Sequence, residues 1–386
     1  MKYLSLAVLL TLAAAGLSGC GEGFPDEEMH FGIEDKVRPF AVVIEPPEAA
    51  PGETVTVTLL AQAGDPDEVD ITWRVALDYD LGLYEADEVE RHYRDLPTPS
   101  TSSDTDGFLS QTFAWTVPDS ALLYTSAMPE ILTDPAVVYL VEQLIGPAAG
   151  SPPNRTAVDA WLKARTPAEL AQMTPLEREG VWALADRFAC QVRFRAVMRT
   201  GETVDVTRNL TIRHTSRLGG PNTNRNASVY DFTIGAVNKI DATKEDLYDP
   251  DLQVRWYDFI LWGEGVASQV WVPFHDDWTY YVRVRHSPEE YTSPFDPTLV
   301  VREGSRYNWY YYRRDEPQSG HHFFVTEEGE EAEMWDLGKD SRIMPAGPGS
   351  TFRLVAAVRD FRDDWVMYHA VPGAAVEQGI VQFVSP

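Results

Sequence analysis

The sequence predicts a mainly β chain of two β-sandwiches, the first carrying an α-helical insertion before its last two strands. Three observations lead there. Short stretches alternate apolar and polar side chains with a period of two. A block at about residues 119–189 changes to helical spacing, and a Gly/Pro/Asn-rich stretch at 215–228 separates residues 38–214 from 229–386.

In the first part, Thr54-Val55-Thr56-Val57-Thr58-Leu59 places Val55, Val57 and Leu59 on one face and threonines on the other. Asp70-Ile71-Thr72-Trp73-Arg74-Val75-Ala76-Leu77 repeats the pattern with Ile71, Trp73, Val75 and Leu77. Pro51-Gly52 and Gly64-Asp65-Pro66 bound these runs as turns. Such bounded alternation marks half-buried antiparallel strands. Phe113–Val117, Gln191–Met198 and Val204–Ile212 are further expected strands.

Between Pro118 and Ala189 the spacing becomes helical. Asp134-Pro135 opens a helix over Val137–Ile145, and Gly146-Pro147 stops it. Thr166-Pro167-Ala168-Glu169 and Thr174-Pro175-Leu176-Glu177 are two capping boxes, each with proline at the first helical position. After the second, Val181, Leu184, Ala185 and Phe188 share a face that should pack on the sandwich. A partner-binding role for the insertion is the alternative, because insertions on rigid scaffolds often carry function.

Past residue 228, strands are expected at Leu252–Trp262, Val270–Val272, Trp278–His286, Tyr307–Arg313, His322–Thr326, Thr351–Arg359 and Ile380–Val384. Phe194–Arg199 and Leu354–Arg359 stand in comparable places before a closing strand, so the second half should be a sandwich of the same kind. The first half has an opening strand ending in Pro46-Pro47, a Pro-Gly turn, a Thr/Val strand and a strand with one Trp. That order resembles the start of bacterial immunoglobulin-like modules, and the hairpin Val192–Ile212 resembles their closing strands. The resemblance implies that Trp73 fills the inter-sheet core. It departs from the antibody pattern in having no Cys pair between the sheets.

The N-terminus has the layout of an export signal: Lys2, an apolar run from Leu4 to Leu17, then small residues. The run is shorter than the roughly 20 residues that span a bilayer. Leu17-Ser18-Gly19-Cys20 resembles the lipobox of bacterial lipoproteins at all four positions. That resemblance implies cleavage after Gly19 and lipidation of Cys20. Gly21 stands where an inner-membrane retention Asp would be, so the resemblance favours the outer membrane. Two or three acyl chains make a durable anchor. Residues 20–37 then read as an acidic tether, and the membrane, reached through the Cys20 lipid, is the expected partner.

Removing the first 19 of 386 residues leaves 367, room for two or three domains. The chain's formal charge of −28 becomes −29 once Lys2 is gone. Such a surface repels nucleic acid, so no nucleic-acid partner is expected. Only two cysteines are present, and with Cys20 lipidated Cys190 has no disulfide partner. Cys190 opens an apolar strand and reads as an inert, buried thiol rather than a nucleophile.

Residues 229–386 hold 27 aromatics in 158 positions, crowded around Trp256, Trp262, Trp271, Trp278, Trp309, Tyr310, Tyr311 and Tyr312. Aromatics commonly fill sandwich cores. In Tyr307-Asn308-Trp309-Tyr310-Tyr311-Tyr312, however, alternation turns two or three rings outward. Trp309, Tyr310, Tyr311 and Tyr312 are therefore the candidate stacking residues for a glycan, with a protein as the other open ligand class. Asp104-Thr105-Asp106-Gly107 is a fragment of a calcium loop that lacks its further ligands, so Asp104 and Asp106 read more simply as turn residues. The histidines form no metal signature, no cofactor motif is present, and nucleophile-elbow and Walker patterns are absent from the sequence. The function expected is a non-catalytic, lipid-anchored binding or structural module of the envelope. A carbohydrate-binding lipoprotein and a hydrolase with an unrecognised site are the alternatives.

Overall fold

Alternating Val, Leu and Thr can bury one face of a strand only if a second sheet covers it, and the chain supplies that cover twice. The structure, a computed structural model, describes residues 37–77, 92–123, 131–150, 153–240, 242–243, 245–259, 268–287, 290–292, 300–302, 304–314, 322–328, 334–336, 347–361 and 374–386. The signal, Cys20 and the tether up to residue 36 lie outside the described residues, as does Trp262.

The described strands of the first sandwich are β1 (Val37–Glu45), β2 (Glu48–Ala49), β3 (Thr54–Ala63), β4 (Asp70–Ala76), β5 (Tyr93–Leu96), β6 (Thr101–Ser103), β7 (Phe108–Thr116), β8 (Cys190–Arg199) and β9 (Thr203–Ile212). One sheet has the order β1-β3-β7-β6, the other β2-β9-β8-β4-β5. This is the immunoglobulin arrangement, with strands A, B, E and D facing A′, G, F, C and C′. The short β2 runs parallel to β9, as strand A′ runs beside G.

Val55, Val57 and Leu59 face Ile71, Trp73 and Val75 across the core, all of them buried. The Trp73 indole donates to Gln111 Oε1 of the opposite sheet at 2.7 Å. Gln111 in turn donates to Thr101 Oγ1 at 2.8 Å, so the enclosed indole and amide both have partners. The two sheets thus stand without a disulfide between them.

The insertion joins β7 to β8 and contains α1 (Pro135–Leu144), α2 (Arg155–Lys163), α3 (Pro167–Leu170) and α4 (Pro175–Arg187). Asp134 caps α1, and both expected capping boxes form, at Thr166/Glu169 and Thr174/Glu177. Helix α2 was not expected; Asn154 caps it by accepting from the Ala157 N–H. Val137, Val141, Val158, Leu162, Val181, Leu184 and Phe188 belong to the same apolar cluster as the sandwich core. The helical faces therefore close onto the sheets.

A polar network ties this insertion to residues 213–224. Arg213 pairs with buried Glu48 at 2.6 Å and with Asp186 of α4 at 3.6 Å. Thr215 and Asn222 also donate to Asp186, and the Asn224 N–H donates to Glu48. The stretch 215–228, expected as a linker from its Gly, Pro and Asn content, runs from β9 to the start of the second sandwich and is pinned at Thr215, Asn222 and Asn224. Short amide and hydroxyl side chains serve fixed hydrogen bonds here as well as coil.

The second sandwich has β10 (Ser228–Val237), β11 (Val254–Asp258), β12 (Ser268–Pro273), β13 (Thr279–Ser287), β14 (Glu290–Thr292), β15 (Val300–Arg302), β16 (Gly304–Arg313), β17 (His322–Glu328), β18 (Met334–Asp336), β19 (Thr351–Phe361) and β20 (Ala374–Val384). Its sheets are β11-β10-β13-β18 and β12-β20-β19-β16-β17, with β14 and β15 as a separate hairpin. The second of these sheets repeats the A′-G-F-C-C′ order, and β12 again runs parallel to β20. The echo between Phe194–Arg199 and Leu354–Arg359 is a shared position, since β8 and β19 each lie between a C and a G strand. Trp73 of β4 pairs with Ala196 of β8, and Trp309 of β16 pairs with Ala356 of β19. The two tryptophans occupy the same place in the two sandwiches, each opposite a small residue that leaves room for the indole.

Candidate functional site

Two of the four candidate stacking residues fall on the outer face of sheet β12-β20-β19-β16-β17. Along β16, Tyr307, Trp309 and Tyr311 turn into the second core, while Tyr310 and Tyr312 turn outward. Relative exposures of Trp309, Tyr310, Tyr311 and Tyr312 are nevertheless 0%, 5%, 3% and 7%. The expected stacking face is thus corrected. Trp309 and Tyr311 are core residues, and the outward pair is covered by the first sandwich.

That cover comes from β1 and β7. The pairing of β1 with β3 shifts register between Pro39 and Ala41, a bulge that leaves Phe40 as the extra residue. A bulge re-aims side chains, and here Phe40 and its neighbour Ala41 both join the outward cluster with Tyr310, Val355 and Ala357. The Phe40 and Tyr310 rings are 4.6 Å apart, and the Tyr310 hydroxyl donates to the Phe40 carbonyl at 3.1 Å. Burial pushes the Tyr310 phenol up to about 12, so it stays protonated as that donor.

Beside the apolar seam lies an ionic one. Asp104 Oδ1 accepts the N–H groups of Asp106 and Phe108, which fixes the turn between β6 and β7. Gly107 sits in that turn at φ 77°, and a Cβ there would come within 2.2 Å of the Ala63 carbonyl oxygen. Only glycine fits both the angle and the approach. The turn holds two carboxylates against the second sandwich. Asp104 pairs with Arg353, and Asp106 with Arg314 at 2.8 Å. Arg353 also lies 3.6 Å above the Phe108 ring and donates to Gln378 at 2.6 Å. Asp104 thus serves the turn, as the simpler reading had it, and both Asp104 and Asp106 also clamp arginines of the second sandwich. Among the described residues no group of three or more His, Cys, Asp or Glu side chains could hold a metal.

Beyond the seam the same face opens to solvent at its β12 edge. There Gln269 and Trp271 point away from the buried Val270 and Val272. The Trp271 ring, 57% exposed, is held by its indole N–H on Gln382 Oε1 at 3.1 Å.

Both sandwiches also hold buried polar groups in their interiors. His286 bridges the sheets of the second sandwich, with Ser305 Oγ 2.7 Å from Nε2 and the Tyr307 hydroxyl 2.9 Å from Nδ1. His286 and Tyr307 are buried, so this Ser–His contact is an interior tie between β13 and β16. In the first sandwich Cys190 is buried, and burial pushes its thiol up to about 12. The neighbouring His214 is held below its ordinary value, chiefly by burial, and its Nε2 lies 3.0 Å from Asp159 Oδ1. Burial alone would raise the Asp159 carboxyl, but hydrogen bonds from His214 and Lys163 outweigh it and hold it low.

The fold and this face define a tandem of immunoglobulin-like sandwiches joined by a packed seam. No family model matches the chain, and no curated protein matches it. Among solved structures, extracellular cadherin domains 3–6 of protocadherin gamma B2 are similar at 8% identity, covering 92% of this chain, with a TM-score of 0.15. The chain spans 52% of the length of that structure, and a likeness of this size carries no argument about either fold or function. Among the described residues no helix is long and apolar enough to cross a membrane.

Proposed function

We propose that the chain is a lipid-anchored module of the bacterial cell envelope that binds or positions a partner without catalysing a reaction. The observation that carries this reading is Leu17-Ser18-Gly19-Cys20 behind an apolar run. Acyl chains on Cys20 would hold the protein at an outer-membrane surface, and a charge of −29 on the rest leaves the lipid as its means of attachment. The 16 residues from Gly21 to Lys36 can reach at most roughly 55 Å at full stretch. They lead straight into β1, the strand that carries Phe40 into the seam. A tether arriving at the seam would present both sandwiches together, which suits a rigid display module.

The anchor is tested by Cys20→Ser, expressed in a bacterial host and followed by palmitate labelling, mass and membrane fractionation. The wild type should carry label and sediment with membranes. The variant should lose label and accumulate as precursor or leave the membrane fraction. A Cys20→Ser protein that keeps both the mature mass and the membrane location would rule out the lipid anchor.

A further inference from the structure

We infer that the edge of the second sandwich around Trp271 is a binding platform for a neutral sugar ring. An isolated exposed apolar side chain is ordinary on a protein surface. What sets Trp271 apart is the way it is held and what lies beside it. Its indole N–H is bound to Gln382 Oε1 at 3.1 Å, and Gln269 Nε2 donates to the same oxygen at 3.2 Å. Trp271 and Gln382 are paired across adjacent strands, so backbone pairing and side-chain bonding fix the ring together. A ring fixed before the ligand arrives loses little entropy when one binds.

The fixing bonds use Gln382 Oε1 and Gln269 Nε2 and spare the other polar atom of each amide. Among the described residues, Gln382 Nε2 and Gln269 Oε1 have no partner, which leaves one donor and one acceptor on the same face as the exposed indole. Thr351 follows Gln382 across the sheet. A flat apolar ring flanked by uncharged donors and acceptors suits the C–H face of a pyranose, with its hydroxyls reaching the amides. Gln269, Gln382 and Thr351, the described groups that hold and flank the ring, carry no charge, and the chain as a whole carries −28, which disfavours an acidic glycan. The first sandwich occupies the other part of this face, so the open part is limited to the β12 and β20 side.

This inference deepens the binding-module reading and is independent of the anchor. Loss of lipidation in the Cys20→Ser variant would leave it standing, and loss of sugar binding would leave the anchor standing. The test is titration of the mature chain with neutral hexasaccharides of glucose and of N-acetylglucosamine, read by indole fluorescence and calorimetry. At least one should bind, with Trp271→Ala weakening it by about tenfold or more and Trp271→Phe by less. Gln382→Ala should also weaken binding and loosen the ring, seen as a shifted emission maximum. Both side chains are at the surface, so an unchanged melting temperature will show that the variants fold. The idea is overturned if no hexasaccharide binds up to about 10 mM, or if Trp271→Ala binds as the wild type does. Retention of a protein ligand by Trp271 in place of any sugar would overturn it equally.

Discussion

Removing the Tyr310 side chain should uncouple the two sandwiches while leaving each core intact. Tyr310 is covered by Phe40, Ala41, Val355 and Ala357, and its hydroxyl reaches the Phe40 carbonyl at 3.1 Å. Truncating a buried aromatic to alanine costs about 3–5 kcal/mol, and a single hydrogen bond contributes about 1 kcal/mol of that. Tyr310→Ala should therefore lose about 3–5 kcal/mol and Tyr310→Phe only about 1 kcal/mol. For a module of this size the larger loss lowers the melting temperature of the affected unit by roughly 6–20 °C. Differential scanning calorimetry of the mature chain is the measurement. The wild type should melt with the sandwiches coupled; Tyr310→Ala should split the transition, and Tyr310→Phe should shift it slightly without splitting. Protease cleavage near residues 215–228 should rise in the alanine variant only. If Tyr310→Ala melts as the wild type does, the seam contributes nothing to coupling and the argument from its burial is wrong.

Two further outcomes follow from buried titratable groups. Cys190, with its thiol pushed up to about 12 by burial, should resist alkylation at pH 8 in the native protein and react at once in denaturant. Rapid native labelling would contradict its placement. His214 binds its proton more weakly in the folded state than at its ordinary value of 6.5, so the unfolded chain takes up more protons as pH falls below that value. Stability should be full above about pH 6.5 and decline below it, and His214→Gln should flatten that slope in urea titrations at pH 7 and pH 5. Asp159, also held low, adds a loss only at more acid pH, below the ordinary 3.8 of its carboxyl. An unchanged slope in the variant would remove His214 as the source.

Much of the architecture was legible in the sequence because it is written locally. Period-two alternation identified β3 and β4, and Thr-Pro-x-Glu capping boxes placed the starts of α3 and α4, since each signal depends on neighbours within a few residues. Helix α2 and strand β10 carry no such local signal, for opposite reasons. Asn154 caps α2 without a glutamate three residues on, and β10 runs continuously buried from Phe232 to Val237 rather than alternating. The sequence also indicated that rings on β16 must face outward, which is what they do.

Where those rings point could not be read from residue order. Tyr310 and Tyr312 meet Phe40 and Phe108, some 270 and 204 positions earlier in the chain, through a bulge that no local pattern announces. The same distance hides the partners of Asp104 and Asp106, because a carboxylate in a turn looks alike whether it faces water, a cation or an arginine from another module. Alternation fixes which side of a strand a residue occupies. What covers that side is a question of tertiary packing, and it decided that Trp309 is core, that Tyr310 is seam, and that Trp271 is a ring left facing solvent.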